Sequence, residues 1–341
     1  MKDYKQLIPV NILTGFLGSG KTTLLKKIIN LKSMSKTIVL VNEFGEVGLD
    51  HHLLERVDEN LVVLQSGCIC CTIREDLTST LRDLWDKRSI NNLIYNRVIV
   101  ETTGLADPAP IIYSLSSSEI LFNHYRLGNI ITTVDVLNGL VQLKKYPETI
   151  KQIAVADRII VTKTDINKGN LSDILNYIVS INPSSSVLYN KKRLAASLLF
   201  SKDTYDPKSK SEEVFKWINQ EAFREKKYHK HDKNRHGNTI KSFCISFDKP
   251  IDWNIFGIWV TMLIQAHGEN ILRLKAILNI IDVKEPVAIH GVQHIIHPPI
   301  HLDAWPSTSR ESKLVFIVKD LDPDKIKNSL AKFNLLGKYL S

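Results

Sequence analysis

The sequence predicts an α/β fold with a mostly parallel sheet and flanking helices, followed by a smaller α+β domain. Up to about residue 200, short apolar runs rich in β-branched residues alternate with helical stretches, whereas beyond residue 238 strand-like runs surround two helical segments. Continuous apolar runs without polar alternation are typical of strands covered on both faces, as in parallel sheets. A chain of 341 residues is also long enough for two domains.

Six apolar runs are predicted to form the first sheet: residues 9–13, 37–41, 61–64, 98–100, 130–134 and 158–161. Residues 201–238 are charged and poor in apolar side chains, and they contain three histidines, so we interpret them as a connector with a histidine-containing loop. Beyond it, strands at 242–247 and 314–318, helices at 253–267 and 322–333, and two further strand-like runs predict a four-stranded sheet with two helices. The expected domains are therefore 1–200 and 239–341, joined by the connector.

The composition is that of an ordinary folded protein. Hydrophobic residues make up 43% and charged residues 24%, which excludes a disordered or fibrous chain. The net charge of +9 is spread thinly, without a dense basic block interleaved with aromatics, so no nucleic-acid partner is expected. No apolar run approaches the ~20 residues of a membrane span, and the N-terminus lacks the long apolar region of a signal peptide. We therefore expect a cytoplasmic protein without a membrane partner.

Residues 15–22 read GFLGSGKT, which matches the phosphate-loop pattern G-x-x-x-x-G-K-[ST] between a predicted strand and a predicted helix. Glycines let backbone N–H groups converge on phosphate oxygens, and the N-terminus of the helix adds its positive dipole. We expect Lys21 to bridge the β- and γ-phosphates and Thr22 to hold Mg²⁺. The predicted phosphate-binding residues are Gly15, Gly18, Ser19, Gly20, Lys21, Thr22 and Thr23.

A P-loop NTPase needs a second acid at the end of another strand. Glu101 directly follows the run 98–100 and precedes Thr102, Thr103 and Gly104. This position predicts that Glu101 supports the magnesium shell and that the Gly104 N–H lies near the γ-phosphate. Lys21, Thr22, Glu101 and Gly104 are thus the expected catalytic set.

The base-reading segment is predicted at Thr162, Lys163, Thr164 and Asp165, which close the run 158–161. The Asp165 carboxylate can accept hydrogen bonds from guanine N1–H and the exocyclic amine, whereas adenine offers no such pair of donors. The segment therefore favours GTP over ATP.

Three of the four cysteines, Cys68, Cys70 and Cys71, lie within four residues. Three thiolates can fill three of the four tetrahedral positions around Zn²⁺ and leave one open for transfer. Two other interpretations remain open, namely cysteines that only pack and cysteines that act as a redox switch.

Five segments together resemble the CobW family of P-loop GTPases, relatives of UreG and HypB, and they are most similar to its YjiA-like branch. The segments are residues 15–23, 42–46, 67–71, 101–108 and 162–165, and residues 273–305 also resemble the C-terminal domain of that family. The resemblance implies GTP hydrolysis coupled to delivery of zinc, or alternatively cobalt, to a client metalloprotein. It assigns metal binding to Cys68, Cys70 and Cys71, with Glu46 as an extra ligand.

Turnover is expected to be slow. Leu105 and Ala106 follow Gly104, where fast GTPases have a water-positioning glutamine, and the sequence assigns no arginine finger. The resulting hypothesis is a GTP-dependent metallochaperone whose client docks on the C-terminal domain. The alternatives are a GTP-regulated assembly factor with structural or redox-sensing cysteines, and a P-loop kinase for a small molecule. The sequence does not indicate an oligomeric state.

Overall fold

The structure is a computed structural model that describes residues 7–43, 61–65, 72–90, 93–166, 171–189, 196–200, 240–305 and 310–340. The chain divides into two compact units. The first comprises Met1–Asn176 and Ser185–Tyr205, and the second comprises Tyr177–Ser184 and Asp206–Ser341. The boundaries expected from the sequence, at 200 and 239, stay predictions.

The first unit is built on a seven-stranded sheet in the order β3-β2-β4-β1-β5-β6-β7. Every pairing between neighbouring strands is parallel. The strands are β1 (Ile8–Gly15), β2 (Thr37–Glu43), β3 (Leu61–Gln65), β4 (Arg97–Glu101), β5 (Tyr125–Asp135), β6 (Arg158–Thr162) and β7 (Ser186–Tyr189). The predicted parallel sheet is therefore confirmed, and β7 is an addition to it.

Eight α-helices occur in the described ranges up to residue 200. They are α1 (Lys21–Ile29), α2 (Thr72–Ile90), α3 (Ala109–Ser117), α4 (Glu119–His124), α5 (Gly139–Lys145), α6 (Pro147–Ala154), α7 (Leu171–Ile181) and α8 (Ala196–Phe200). Apolar residues of α1 and α8 form one core cluster with β1, β2, β4, β5 and β6. Every residue of β6 is buried, which is the burial that its uninterrupted apolar run predicts.

The second unit is an antiparallel sheet with two helices packed on it. Its strands are β8 (Ile240–Phe247), β9 (Ile271–Leu278), β10 (Val287–Val292), β11 (Ile295–Ile296), β12 (Ile300–His301) and β13 (Ser312–Lys319), and its helices are α9 (Trp253–His267) and α10 (Pro323–Leu340). The strand order is β11-β10-β9-β13-β8, and β12 pairs with β10. Four long strands and two helices agree with the α+β domain expected from the sequence, to which the structure adds two strands of two residues each.

The helix α9 begins at an N-cap. The Asp252 carboxylate accepts hydrogen bonds from the backbone N–H groups of Asn254 (2.7 Å) and Ile255 (3.0 Å). This contact satisfies two of the amides that a helix leaves without partners at its N-terminus.

None of the helices in the described ranges combines the length and the apolar character that crossing a membrane requires.

Candidate active site

The phosphate loop connects the end of the central strand β1 to the start of α1. Gly20 is the N-cap of α1, with φ +94° and ψ 21°, a left-handed conformation that glycine adopts without a steric cost. Its carbonyl accepts the first helical hydrogen bond, from the Leu24 N–H at 2.9 Å. Ser19 is buried, whereas Gly18 in the loop and Thr23 in the first turn of α1 are exposed. The loop is therefore anchored in the protein at Ser19 and accessible to a ligand at Gly18.

Lys21 is the buried cation of this loop, with only 8% of its surface exposed. Its Nζ donates to the carbonyl oxygens of Gly15 (2.7 Å) and Phe16 (3.2 Å). Burial lowers the pKa of the Lys21 amine, and the charge of Glu101 partly opposes this shift. The loop thus holds a desolvated positive charge, which interacts with an anion far more strongly than an exposed lysine does.

Thr22 in the first turn of α1 contacts Glu101 at the end of β4. The Thr22 hydroxyl donates to Glu101 Oε1 at 2.7 Å, and Glu101 is 4% exposed. The parallel register places Glu101 opposite Leu13, so the end of β4 lies beside the start of the phosphate loop. A hydroxyl and a carboxylate are the oxygen ligands that Mg²⁺ prefers, so this pair fits a magnesium ion.

The segment after β4 lies against the phosphate loop. The Thr102 N–H donates to the Leu13 carbonyl at 2.9 Å, and the Thr102 hydroxyl donates to Thr14 Oγ1 at 2.8 Å. A Cβ on Gly104 would lie 2.6 Å from the Leu17 nitrogen, which is closer than real Cβ contacts come. Gly104 is therefore required for the backbone of this segment to reach the loop.

The segment predicted to read the base is tied to the phosphate loop from the other side. The Thr162 hydroxyl donates to the Ser19 carbonyl at 2.6 Å, and Ser19 Oγ lies 2.6 Å from Thr133 Oγ1. Lys163 adopts a left-handed φ of +59°, and its Nζ forms an ion pair with buried Asp135 at 2.7 Å. Asp165 follows on the surface, where its carboxylate is accessible to a ligand.

The geometry thus combines a phosphate loop, a magnesium-type pair and an accessible acid at the carboxyl edge of one parallel sheet. Residues 9–189 match the family model of the CobW/HypB/UreG nucleotide-binding domain. The chain belongs to the CobW/HypB/UreG family. Residues 240–334 match the C-terminal domain of the cobalamin synthesis protein cobW. As a member of this P-loop family, the chain is a GTPase that uses GTP with Mg²⁺.

Several members of the family resemble the chain closely. The zinc chaperone YjiA of Escherichia coli K12 is 31% identical over 325 residues, which are 95% of this chain and 98% of that protein. The zinc-regulated GTPase metalloprotein activator 1 of Schizosaccharomyces pombe is 33% identical over 189 residues, 53% of this chain and 45% of that protein. The crystal structure of the Zn(II)-bound YjiA GTPase from E. coli superposes with a TM-score of 0.72 at 28% identity and covers 96% of this chain and 99% of that one.

The structure therefore brings most of the predicted nucleotide residues of this CobW-family chain to one edge of the sheet. It also adds three side chains that motif reasoning does not single out: Thr133, Asp135 and Gln152. Thr133 and Asp135 lie at the carboxyl end of β5, where a search along every predicted strand end would have found them. Gln152 lies inside α6, and no sequence pattern marks it.

The predicted metal ligands Cys68, Cys70, Cys71 and Glu46 lie outside the described residues. Within the ranges that the structure describes, no group of three or more His, Cys, Asp or Glu side chains could hold a metal ion. Cys244, on β8, is half-buried. The metal assignment consequently stays a prediction from sequence.

Proposed function

We propose that the chain is a GTP-dependent metallochaperone that binds zinc through its cysteine cluster and delivers the ion to a client metalloprotein. The observation that carries the nucleotide part is the 2.7 Å contact between the Thr22 hydroxyl and Glu101, beside the buried amine of Lys21. The metal part is supported by three cysteines within four residues and by relatives that are named zinc chaperones.

Each residue of the nucleotide site has a distinct task in this proposal. Lys21 offsets negative charge on the β- and γ-phosphate oxygens, where charge shifts during phosphoryl transfer. Thr22 and Glu101 would hold Mg²⁺, which would neutralise phosphate charge when bound, and the Gly104 N–H would donate to the γ-phosphate. Asp165 reads guanine by accepting from its two donors. Slow intrinsic turnover is expected, because Leu105 and Ala106 follow Gly104 where fast GTPases have a water-positioning glutamine.

Zinc is the cargo in this proposal, and cobalt is the alternative cargo. The thiolates of Cys68, Cys70 and Cys71 would fill three tetrahedral positions. Glu46 is the proposed fourth ligand, and an exchangeable carboxylate there would leave the site open to an acceptor. The client is proposed to dock on the C-terminal domain, and the cytoplasm is the proposed location.

A zinc titration of the full chain with Cys70→Ser plus Cys71→Ser tests the metal part. The wild-type chain should bind one Zn²⁺ tightly, and the double variant should lose this binding because two of three thiolates are gone. Cys244→Ser is the matched control and should bind like the wild type, since Cys244 lies on β8 and is not part of the sequence cluster of Cys68, Cys70 and Cys71. Unchanged binding by the double variant would contradict the assignment and favour the GTP-regulated assembly factor.

A further inference from the structure

Gln152 of α6 reaches the segment that follows β4. The residue is fully buried, with 0% of its surface exposed. Its Nε2 donates to the carbonyl oxygens of Gly104 (3.2 Å) and Ala106 (3.1 Å). An amide group has two N–H donors, and Gln152 therefore uses both on one short stretch of backbone.

These two hydrogen bonds fix the orientation of two peptide groups. In a trans peptide the N–H points opposite to the C=O. Anchoring the Gly104 and Ala106 carbonyls on Gln152 consequently turns the N–H groups of Leu105 and Asp107 away from α6. Gln152 itself is anchored, because its backbone carbonyl accepts from the Thr132 hydroxyl of β5 at 2.8 Å.

The preceding residue of α6 holds the far end of the same segment. Lys151 Nζ lies 2.8 Å from Asp107 Oδ2, and Asp107 Oδ1 accepts from the Ala109 N–H at 3.0 Å. At the near end, Gly104 lies against Leu17 of the phosphate loop. The segment 104–107 is thus held from the phosphate loop and from α6 at once.

We propose that Gln152 is a positioning residue for GTP hydrolysis, which acts by holding segment 104–107 in the conformation that meets the γ-phosphate. The inference rests on the proposed position of Gly104 at that phosphate. The N–H group that Gln152 orients there is that of Leu105, which shares a peptide group with the Gly104 carbonyl, and the Gly104 N–H in the preceding peptide group is held through the same residue. Backbone donors stabilise developing charge only when they are fixed before the reaction, because a mobile donor must first be ordered. Gln152 supplies this fixation from a site that water does not reach.

The volume-conserving variant Gln152→Met tests the inference, with steady-state kinetics and nucleotide binding as readouts. The thioether has no N–H donor, so both carbonyls lose their partner. We expect kcat to fall about tenfold, equivalent to about 1.4 kcal/mol, and affinity for a non-hydrolysable GTP analogue to fall. Affinity for GDP should change less than about twofold, since GDP lacks the γ-phosphate that the segment meets.

Thr149→Val is the matched control. Thr149 is buried on the same helix, and its hydroxyl has no hydrogen-bond partner within the described part of the chain. This variant should keep the wild-type kcat and GDP affinity. If Gln152→Met leaves kcat unchanged, or lowers GTP-analogue and GDP affinity equally, Gln152 is a structural residue and the inference is overturned.

Gly104→Ala separates the inference from the proposed function. A loss of kcat in Gly104→Ala without one in Gln152→Met overturns the role of Gln152 alone, whereas unchanged kcat in both overturns the role of Gly104 as well. If Gln152→Met does not fold, hydrogen exchange of the wild-type chain gives the answer. The GTP analogue should then raise protection relative to GDP in both 102–108 and Pro147–Ala154, and unchanged protection in Pro147–Ala154 overturns the inference.

Discussion

Asp165 is the side chain that we propose to determine nucleotide choice. It is exposed, and it follows Thr162 and Lys163, which are fixed by contacts to Ser19 and Asp135. A carboxylate held in this way can accept from both guanine donors, whereas ATP offers no matching pair. In this proposal, the specificity for guanine depends on one accessible acid that follows two anchored neighbours.

The variant Asp165→Asn should weaken GTP binding and favour xanthosine triphosphate. The asparagine amide adds a donor, and the xanthine base presents an acceptor where guanine has its amine. Competition between the two nucleotides measures the switch. Asp173→Asn, an exposed acid on α7, is the control and should keep the preference for GTP. If Asp165→Asn retains that preference, another residue reads the base.

Residues inside a motif could be predicted, because the chemistry of phosphate binding fixes both their type and their spacing. Lys21, Thr22 and Glu101 belong to this class, and the structure brings them together. Gln152 belongs to another class. It reaches the segment after β4 only because α6 packs beside it, and a contact between residues 48 positions apart leaves no local signal in the sequence.

At the scale of elements, strands with long apolar runs were predictable because burial on both faces demands such runs. The sequence analysis does not predict the strand β7, whose four residues are only half-buried, so the burial on both faces that marks the other strands does not apply to it. The strands β11 and β12 have two residues each, which is too short for any periodicity. Both strands pair with β10. Such a pairing depends on where β10 lies in the folded sheet, and the local sequence of two residues does not reveal it.

The packing of α9 on the antiparallel sheet gives a prediction for stability. Trp259 is 2% exposed, donates to Ser329 Oγ of α10 at 3.0 Å and packs edge-on against Phe316. Trp259→Ala should lower the free energy of unfolding of the second unit by about 3–5 kcal/mol, because a large cavity forms in its core.

Urea unfolding of the full chain measures this change, with Trp253→Ala as the control. Trp253 is 39% exposed at the start of the same helix. Its removal should cost about 1 kcal/mol or less. Equal losses for the two variants would show that the α9 interface is not the main source of stability in this unit.

For the whole molecule, the sequence predicted the order of the two domains and the family, because five motifs and the C-terminal stretch occur in the order typical of CobW proteins. The family match over residues 9–189 and 240–334 confirms the family, and the domain boundaries stay predictions. The delivery of metal could only be proposed, since it depends on how the cysteine cluster responds to the nucleotide. In sequence, this cluster lies between residues 42–50 and 101–108, the two candidate nucleotide-sensing segments.

Coupling between nucleotide and metal is the central claim, and a competitive Zn²⁺ titration of the full chain tests it most directly. The titration compares GDP with a non-hydrolysable GTP analogue, both with Mg²⁺. A coupling of about 1–3 kcal/mol, typical of allosteric systems, predicts about 5- to 150-fold tighter Zn²⁺ binding with the analogue. Cys70→Ser plus Cys71→Ser should abolish the difference. Equal Zn²⁺ affinities in the two nucleotide states of the wild-type chain would contradict GTP-driven metal delivery.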